Sequence, residues 1–283
     1  MIEFSIIIPL YNKEATIRST LESVLRQSCP NFEIIVVDDG STDQSSALVQ
    51  SIRDERIRLF NKENGGPGSA RNHGIRHARY DWIIWLDADD LMLPGAIEHF
   101  TNAINQYPEA DMIVGNFELE ECGTIRPFHK KSLAGPVNQA FKSWFMKELM
   151  PCAGTYCCKK NLLSRHPYRE DLRRSEDTEV LFHIFREARI FRSDVLTMRY
   201  RRDFSAESRK KTDVSKDFQG HLDFSGPKSL WEKICLYELY VEAKSNYPED
   251  IHGVYPNIRR HILLRIAYTC AFWYRAYLRK AKK

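Results

Sequence analysis

Over the first ninety residues, apolar runs of strand length alternate with segments of helical period. Residues 4–10 (FSIIIPL) form the first run, and Ile17, Leu21, Val24 and Leu25 then recur on one face of a helix. Residues 32–37 predict a β-branched strand, 42–53 a helix, 57–60 a short strand, 68–79 a helix and 82–86 another strand. Short connections between such units predict a mainly parallel sheet, and strands this apolar are covered on both faces. Further on, residues 94–107 read as a helix and 112–119 as a strand, with shorter strands near 125–128 and 155–158. A helix opens at Ser175, with Val180, Leu181, Ile184 and Phe185 at the right spacing.

The polar clusters fall at the ends of these strands: Pro9 to Asn12, Asp38 to Asp43, and Asp87 to Asp90. Ligands of open parallel sheets bind at the carboxyl ends of strands, so these clusters mark a candidate site. Asp87-Ala88-Asp89-Asp90 crowds three carboxylates whose mutual repulsion a divalent cation relieves. An oxygen-only ligand set favours Mg²⁺ or Mn²⁺. Asp38-Asp39-Gly40-Ser41-Thr42-Asp43 reads as a tight turn at Gly40, with Ser41 or Thr42 capping the next helix. Two acid-ended strands in one sheet suggest a nucleotide site, where a carboxylate accepts from a base N–H or a ribose hydroxyl. Gly65-Gly66-Pro67-Gly68 fits neither dinucleotide nor Walker spacing, and Arg71 beyond it is placed to hold a carboxylate or approach a donor.

Together these motifs resemble the family 2 glycosyltransferases of the GT-A fold. The matches are Pro9-x-Tyr11-Asn12-x-Glu14, the Asp38 to Asp43 loop, Asn64 with Gly66 and Ala70-Arg71-Asn72-x-Gly74, Asp87-x-Asp89-Asp90, and Glu176-Asp177. The resemblance implies an inverting, metal-dependent sugar transfer from a nucleotide donor, with UDP favoured, to a hydroxyl of a carbohydrate or lipid-linked acceptor in surface polysaccharide or lipopolysaccharide synthesis. It implies that Pro9 and Tyr11 border the nucleobase and Asp39 recognises it. Arg71, Asp87 and Ala88 then lie on the donor, Asp89 binds Mn²⁺ or Mg²⁺, and Asp177 is the catalytic base with Glu176 as its rival. A sugar nucleotidyltransferase and an inactive nucleotide-sugar-binding protein share parts of the pattern. The first would carry a glycine- and arginine-richer loop than Pro9 to Glu14, and the second has less need of both Asp89 and Asp177.

The expected architecture is an α/β domain of the GT-A type over residues 1–200, with a donor half at 1–90 and an acceptor half at 91–200. Its mainly parallel sheet carries helices on both faces. A polar, mobile loop at 201–226 and a helical extension at 227–283 follow. The 283-residue chain, 43% hydrophobic, suits such a domain with an appendage. Its seven cysteines lack paired spacing, which speaks against disulfides and zinc, and His73 with His77 reads as a solvated helix face.

Charge changes the picture only at the end of the chain. From Ile251 onward there are eight Lys or Arg and no acid, whereas the remainder has 34 basic and 38 acidic residues. Residues 258–283 read as one amphipathic helix, with His261, Arg265, Arg275, Arg279 and Lys283 on one stripe and Ile262, Leu263, Ile266, Cys270, Trp273 and Tyr277 on another. Arg265 and Arg275 interrupt it too early for a membrane span. Basic charge beside Trp and Tyr suits an anionic membrane surface, and packing on its own domain or a second subunit is the alternative. No nucleic-acid module is present in the pattern. The start shows no secretory leader, so the expectation is a cytoplasmic protein, peripheral on the inner membrane face.

Overall fold

The computed structural model describes residues 2–128, 134–202, 213–248, 250–255 and 262–281. It divides into two compact units, Met1–Asn138 with Met150–Lys210, and Gln139–Leu149 with Lys211–Lys283.

The first unit is built on ten strands: β1 (Phe4–Leu10), β2 (Phe32–Asp38), β3 (Ile57–Asn61), β4 (Trp82–Trp85), β5 (Leu91–Met92), β6 (Met112–Glu121), β7 (Thr124–Pro127), β8 (Gly135–Val137), β9 (Tyr156–Lys159) and β10 (Ile190–Arg201). Their order is β3-β2-β1-β4-β9-β6-β10-β5, with β7 beside β6 and β8 beside β10. The strands from β3 to β4 are parallel, as are β6 and β10. Among the described residues, only β9, inserted antiparallel between β4 and β6, interrupts the interior of the sheet.

Alternation along β1 shows why apolar residues stand on both of its faces. Ile6, Ile8 and Leu10 join Ile34 and Val36 of β2 in a core with Ile17, Leu21 and Val24 of helix α1 (Ile17–Leu25). The same core takes in Ile97 and Phe100 of α4 (Ala96–Gln106). Ile7 points the other way, onto α3 (Pro67–His77), where a Cβ on Gly74 would lie 2.3 Å from its Cγ2. Both faces are thus covered, as the sequence predicts. Among the described residues this unit also contains α2 (Ser45–Ser51), α6 (Lys160–Arg165) and α7 (Glu176–Glu187).

Two local expectations are corrected. Ser41 and Thr42 do not cap α2, which begins at Ser45; their polar groups bond Asn12 on the neighbouring turn instead. His73 and His77 are half-buried rather than solvated, because their rings stack at 4.4 Å and both pack on Phe60.

The second unit contains α5 (Ala140–Phe145), α8 (Leu230–Asn246), α9 (Ile251–Val254) and α10 (Ile262–Ala281). The segment Gln139–Leu149, counted with the first 200 residues in the sequence, belongs to this unit by its contacts. Of the expected loop at 201–226, residues 203–212 lie outside the described residues. Its later part is anchored at its centre: Asp217 and Phe218 are buried, and Tyr247 of the same unit donates to Asp217 Oδ2 at 2.7 Å. The expected C-terminal helix is observed as α10, with 256–261 and 282–283 outside the described residues.

Candidate active site

Three turns at the carboxyl ends of β1, β2 and β4 are laced together. Asn12, at φ 49°, donates its backbone N–H to Ser41 Oγ at 3.0 Å and accepts from Thr42 N at 2.8 Å. Lys13 N donates to Ser45 Oγ at 2.7 Å, and Glu14 accepts from Gln44 N at 2.9 Å. The Pro9 to Glu14 turn is therefore fixed to the Asp38 to Asp43 turn. Gly40, at φ 77°, makes the reversal that a side chain would strain. Pro9 is half-buried here, and Tyr11, 42% exposed, offers a ring at the rim.

Asp39 is buried and committed to the glycine loop. Its carboxylate accepts from Lys62 Nζ and from the backbone N–H groups of Gly65 and Gly66, the last at 2.7 Å. This shapes the entry to α3, where Gly66 at φ 88° precedes Pro67 in the first helical position.

The acidic turn after β4 is held from behind. Thr16 and Thr20 donate to the carbonyl of Ala88 at 2.9 and 3.0 Å. Arg201, buried at the end of β10, donates from Nε to the Asp89 carbonyl at 2.5 Å and from its backbone N–H to Asp90 Oδ1 at 2.9 Å. Burial, with Asp87 and Asp89 nearby, pushes the Asp90 pKa well up. Asp89 receives Lys13 Nζ at 2.6 Å. Asp87 is different, because its side chain is 41% exposed although ringed by protein. That desolvation raises its pKa, the charges of Asp89 and Asp177 raise it further, and Arg71 opposes both.

Arg71 joins this turn to the start of α7. Its buried guanidinium bonds Glu176, reaches Asp87 at 3.4 Å and lies 5.5 Å from the centre of the Tyr168 ring. Burial alone would weaken its charge, but Glu176 and Asp87 outweigh that and raise its pKa. Glu176 is itself buried, and burial raises its pKa against the pull of Arg71. Asp177, next in the first turn of α7, is half-buried and accepts from Thr178 N at 2.7 Å. Carboxylates in a first helical turn face the positive end of the helix dipole. Asn72 ties α3 to the segment before α7, exchanging two hydrogen bonds with the backbone of Tyr168.

The structure thus gathers Arg71, Asp87, Ala88, Asp89, Glu176 and Asp177 around the acidic turn, and Pro9, Tyr11 and Asp39 around the adjoining turns. It adds four residues the sequence reading passed over: Lys13, Lys62, Tyr168 and Arg201. Lys13 sits inside a recognised motif at a variable position. Arg201 is preceded by Arg199 and Tyr200, and its polar run disguised the end of a strand.

Among the described residues, no three His, Cys, Asp or Glu side chains form a ready-made cation site. Asp87 and Asp89 carry the hard oxygen donors that Mg²⁺ or Mn²⁺ takes, with Asp89 bonded by Lys13 Nζ and Asp87 reached by Arg71. Such ions take one or two protein carboxylates and complete their shell with water and phosphate.

Residues 5–196 match the model of Glycosyl transferase family 2. The chain belongs to that family. An uncharacterized glycosyltransferase of Rickettsia conorii is 35% identical over 191 residues, covering 66% of this chain and 32% of the relative. The matches span 23% and 34% of the relatives from Rickettsia felis and Rickettsia typhi, so this family 2 chain corresponds to only a part of those proteins. A Campylobacter jejuni relative, GalNAc(5)-diNAcBac-PP-undecaprenol beta-1,3-glucosyltransferase, is 27% identical, with 87% of this chain and 85% of the relative covered. Among solved structures, S. aureus TarS 1-349 in complex with UDP-GlcNAc superposes with a TM-score of 0.72 at 20% identity, covering 95% of this chain and 79% of that one. That likeness shows the GT-A fold.

Proposed function

We propose that this family 2 chain transfers a sugar from a UDP-sugar to a hydroxyl of a carbohydrate or lipid-linked acceptor, with inversion, in surface polysaccharide synthesis at the cytoplasmic face of a membrane. The observation that carries the reading is the cluster around Arg71, which holds Asp87 on one side and Glu176 on the other, with Asp177 beside them. Support for UDP comes from TarS, solved with UDP and with UDP-GlcNAc. Support for a lipid-linked acceptor comes from the name of the Campylobacter relative.

In this reading Pro9 and Tyr11 border the base, and Asp39 acts on its recognition through the glycine loop that its buried carboxylate holds. Asp87 and the backbone of Ala88 receive the ribose and sugar. Asp89 would hold Mn²⁺ or Mg²⁺, which would supply positive charge to the nucleoside diphosphate as it leaves. Asp177 takes the proton of the acceptor hydroxyl as its oxygen bonds the anomeric carbon. The bond from that carbon to the diphosphate oxygen breaks, and its electron pair departs with the nucleotide. One displacement inverts the anomeric configuration. Glu176 is the poorer base because its carboxylate is buried and bonded to Arg71, whereas Asp177 is more open.

Calorimetric titration with UDP and with UDP-, GDP- and dTDP-sugars, with and without Mn²⁺, tests the donor half. One UDP-sugar should bind in a metal-dependent way, and Asp89→Ala should lose that dependence. Binding of none of them, or binding by Asp89→Ala that still responds to Mn²⁺, contradicts the reading.

A further inference from the structure

Helix α10 is oriented in the opposite sense to an ordinary amphipathic helix. Its packed face carries a charge: Arg275 is buried, donates to Glu238 Oε1 at 2.8 Å and to the Phe145 carbonyl at 2.6 Å, and lies 4.3 Å from the Phe145 ring centre. Ala271 is buried beside it, and Tyr268 packs on Phe145 and Tyr237. Arg275, placed on the basic stripe in the sequence, is thus an internal anchor.

The opposite face is apolar and open to solvent. Leu263 is 82% exposed, Ile266 54%, Trp273 67% and Tyr277 67%, with exposed Cys270 among them. Their steps of three, four, three and four residues place all five on one side of the helix, centred about 140° from Ala271 and Arg275. A stripe of this kind on a folded unit marks an interaction surface.

Charge decides what covers it. The segment from Ile251 to Lys283 has eight Lys or Arg and no acid. Arg275 is neutralised by Glu238, and the other seven basic residues of the segment would meet the same uncompensated positive charge in a second copy. Anionic lipid headgroups complement them, while Trp and Tyr suit the boundary between headgroups and acyl chains. Among the described residues no helix is long and apolar enough to cross a membrane, so the contact would lie in the interfacial plane.

We infer that α10 docks flat on an anionic lipid surface, inserting Leu263, Ile266, Trp273 and Tyr277. The inference is independent of the proposed reaction. Flotation of the full chain with vesicles of phosphatidylcholine alone, or with phosphatidylglycerol at roughly one lipid in three, tests it at low and high salt. Binding should require the anionic lipid and weaken as salt rises, because headgroup attraction is screened. Ile266→Asp and Trp273→Asp should each reduce binding roughly tenfold or more through lost apolar insertion. Val195→Asp, an exposed apolar position in the first unit, should leave it unchanged, and circular dichroism should report all three folded. Absence of binding to anionic vesicles overturns the inference, as does binding that survives both α10 substitutions. Efficient disulfide cross-linking of two copies through Cys270, with a dimer lost in Trp273→Asp, would assign the face to a second copy instead.

Discussion

Arg201 grips the residue behind the reactive turn: its backbone N–H donates to Asp90 Oδ1 at 2.9 Å, while its side chain holds the Asp89 carbonyl, Ser19 and Thr20. A strand residue 111 positions beyond Asp90 thereby braces the turn that carries Asp87 and Asp89, and its charge acts on Asp89 and Asp90. Arg201→Met keeps the backbone bond and removes the rest. Loss of these buried polar contacts should cost about 2–4 kcal/mol of stability. It should also weaken UDP binding by loosening the turn. Urea unfolding and calorimetry on the same variant check both, and unchanged stability would remove the strut.

Gly74 lets α3 approach β1 closely enough to carry Arg71 to the site. A Cβ there would stand 2.3 Å from Ile7 Cγ2, so the helix or strand must move. Gly74→Ala should destabilise the fold by about 1–3 kcal/mol, the usual range for overpacking. Thermal unfolding measures it; a variant as stable as the parent would mean that the contact yields freely.

Asp111 pins the edges of β6, β9 and β10. Partial burial alone would push its pKa up, but hydrogen bonds from Arg189 and Lys159 prevail and lower it to about 2. Because its folded value lies below the unfolded one, near 3.9, the carboxylate stabilises the fold fully above about pH 4 to 5. That contribution is lost as pH falls towards about 2. Asp111→Asn should therefore lower the urea midpoint by a constant amount from pH 7 to 5, with the gap to wild type narrowing between pH 4 and 3. A gap that stays constant down to pH 3 would contradict the depressed pKa.

Much of the donor side was legible because each signal was local. Phe4 to Leu10 is apolar but for Ser5, and the acids at Asp38 and Asp87 follow the apolar runs directly, so period and punctuation agreed. The distant parts were not legible. Strand β10 contains Arg192, Ser193, Asp194 and Arg199, and it bulges near Leu196, so neither alternation nor an apolar run marks it. Its terminal Arg201 read as loop although it is buried on the acidic turn. Lys13 lay within a motif, but a salt bridge to Asp89, 76 positions away, depends on how β1 and β4 pair. Periodicity placed Arg275 with the other basic residues of the tail, and only tertiary packing puts it on Glu238 and Phe145.

The most direct test of the account is the release of UDP from a UDP-sugar in the presence of acceptor, measured for Asp177→Asn beside wild type, with UDP affinity determined on the same samples. Removal of a general base should lower turnover by about 10²–10⁴-fold. UDP affinity should stay close to that of wild type. Full turnover by Asp177→Asn would contradict the assignment of the base, and loss of UDP binding along with turnover would place Asp177 in donor binding instead.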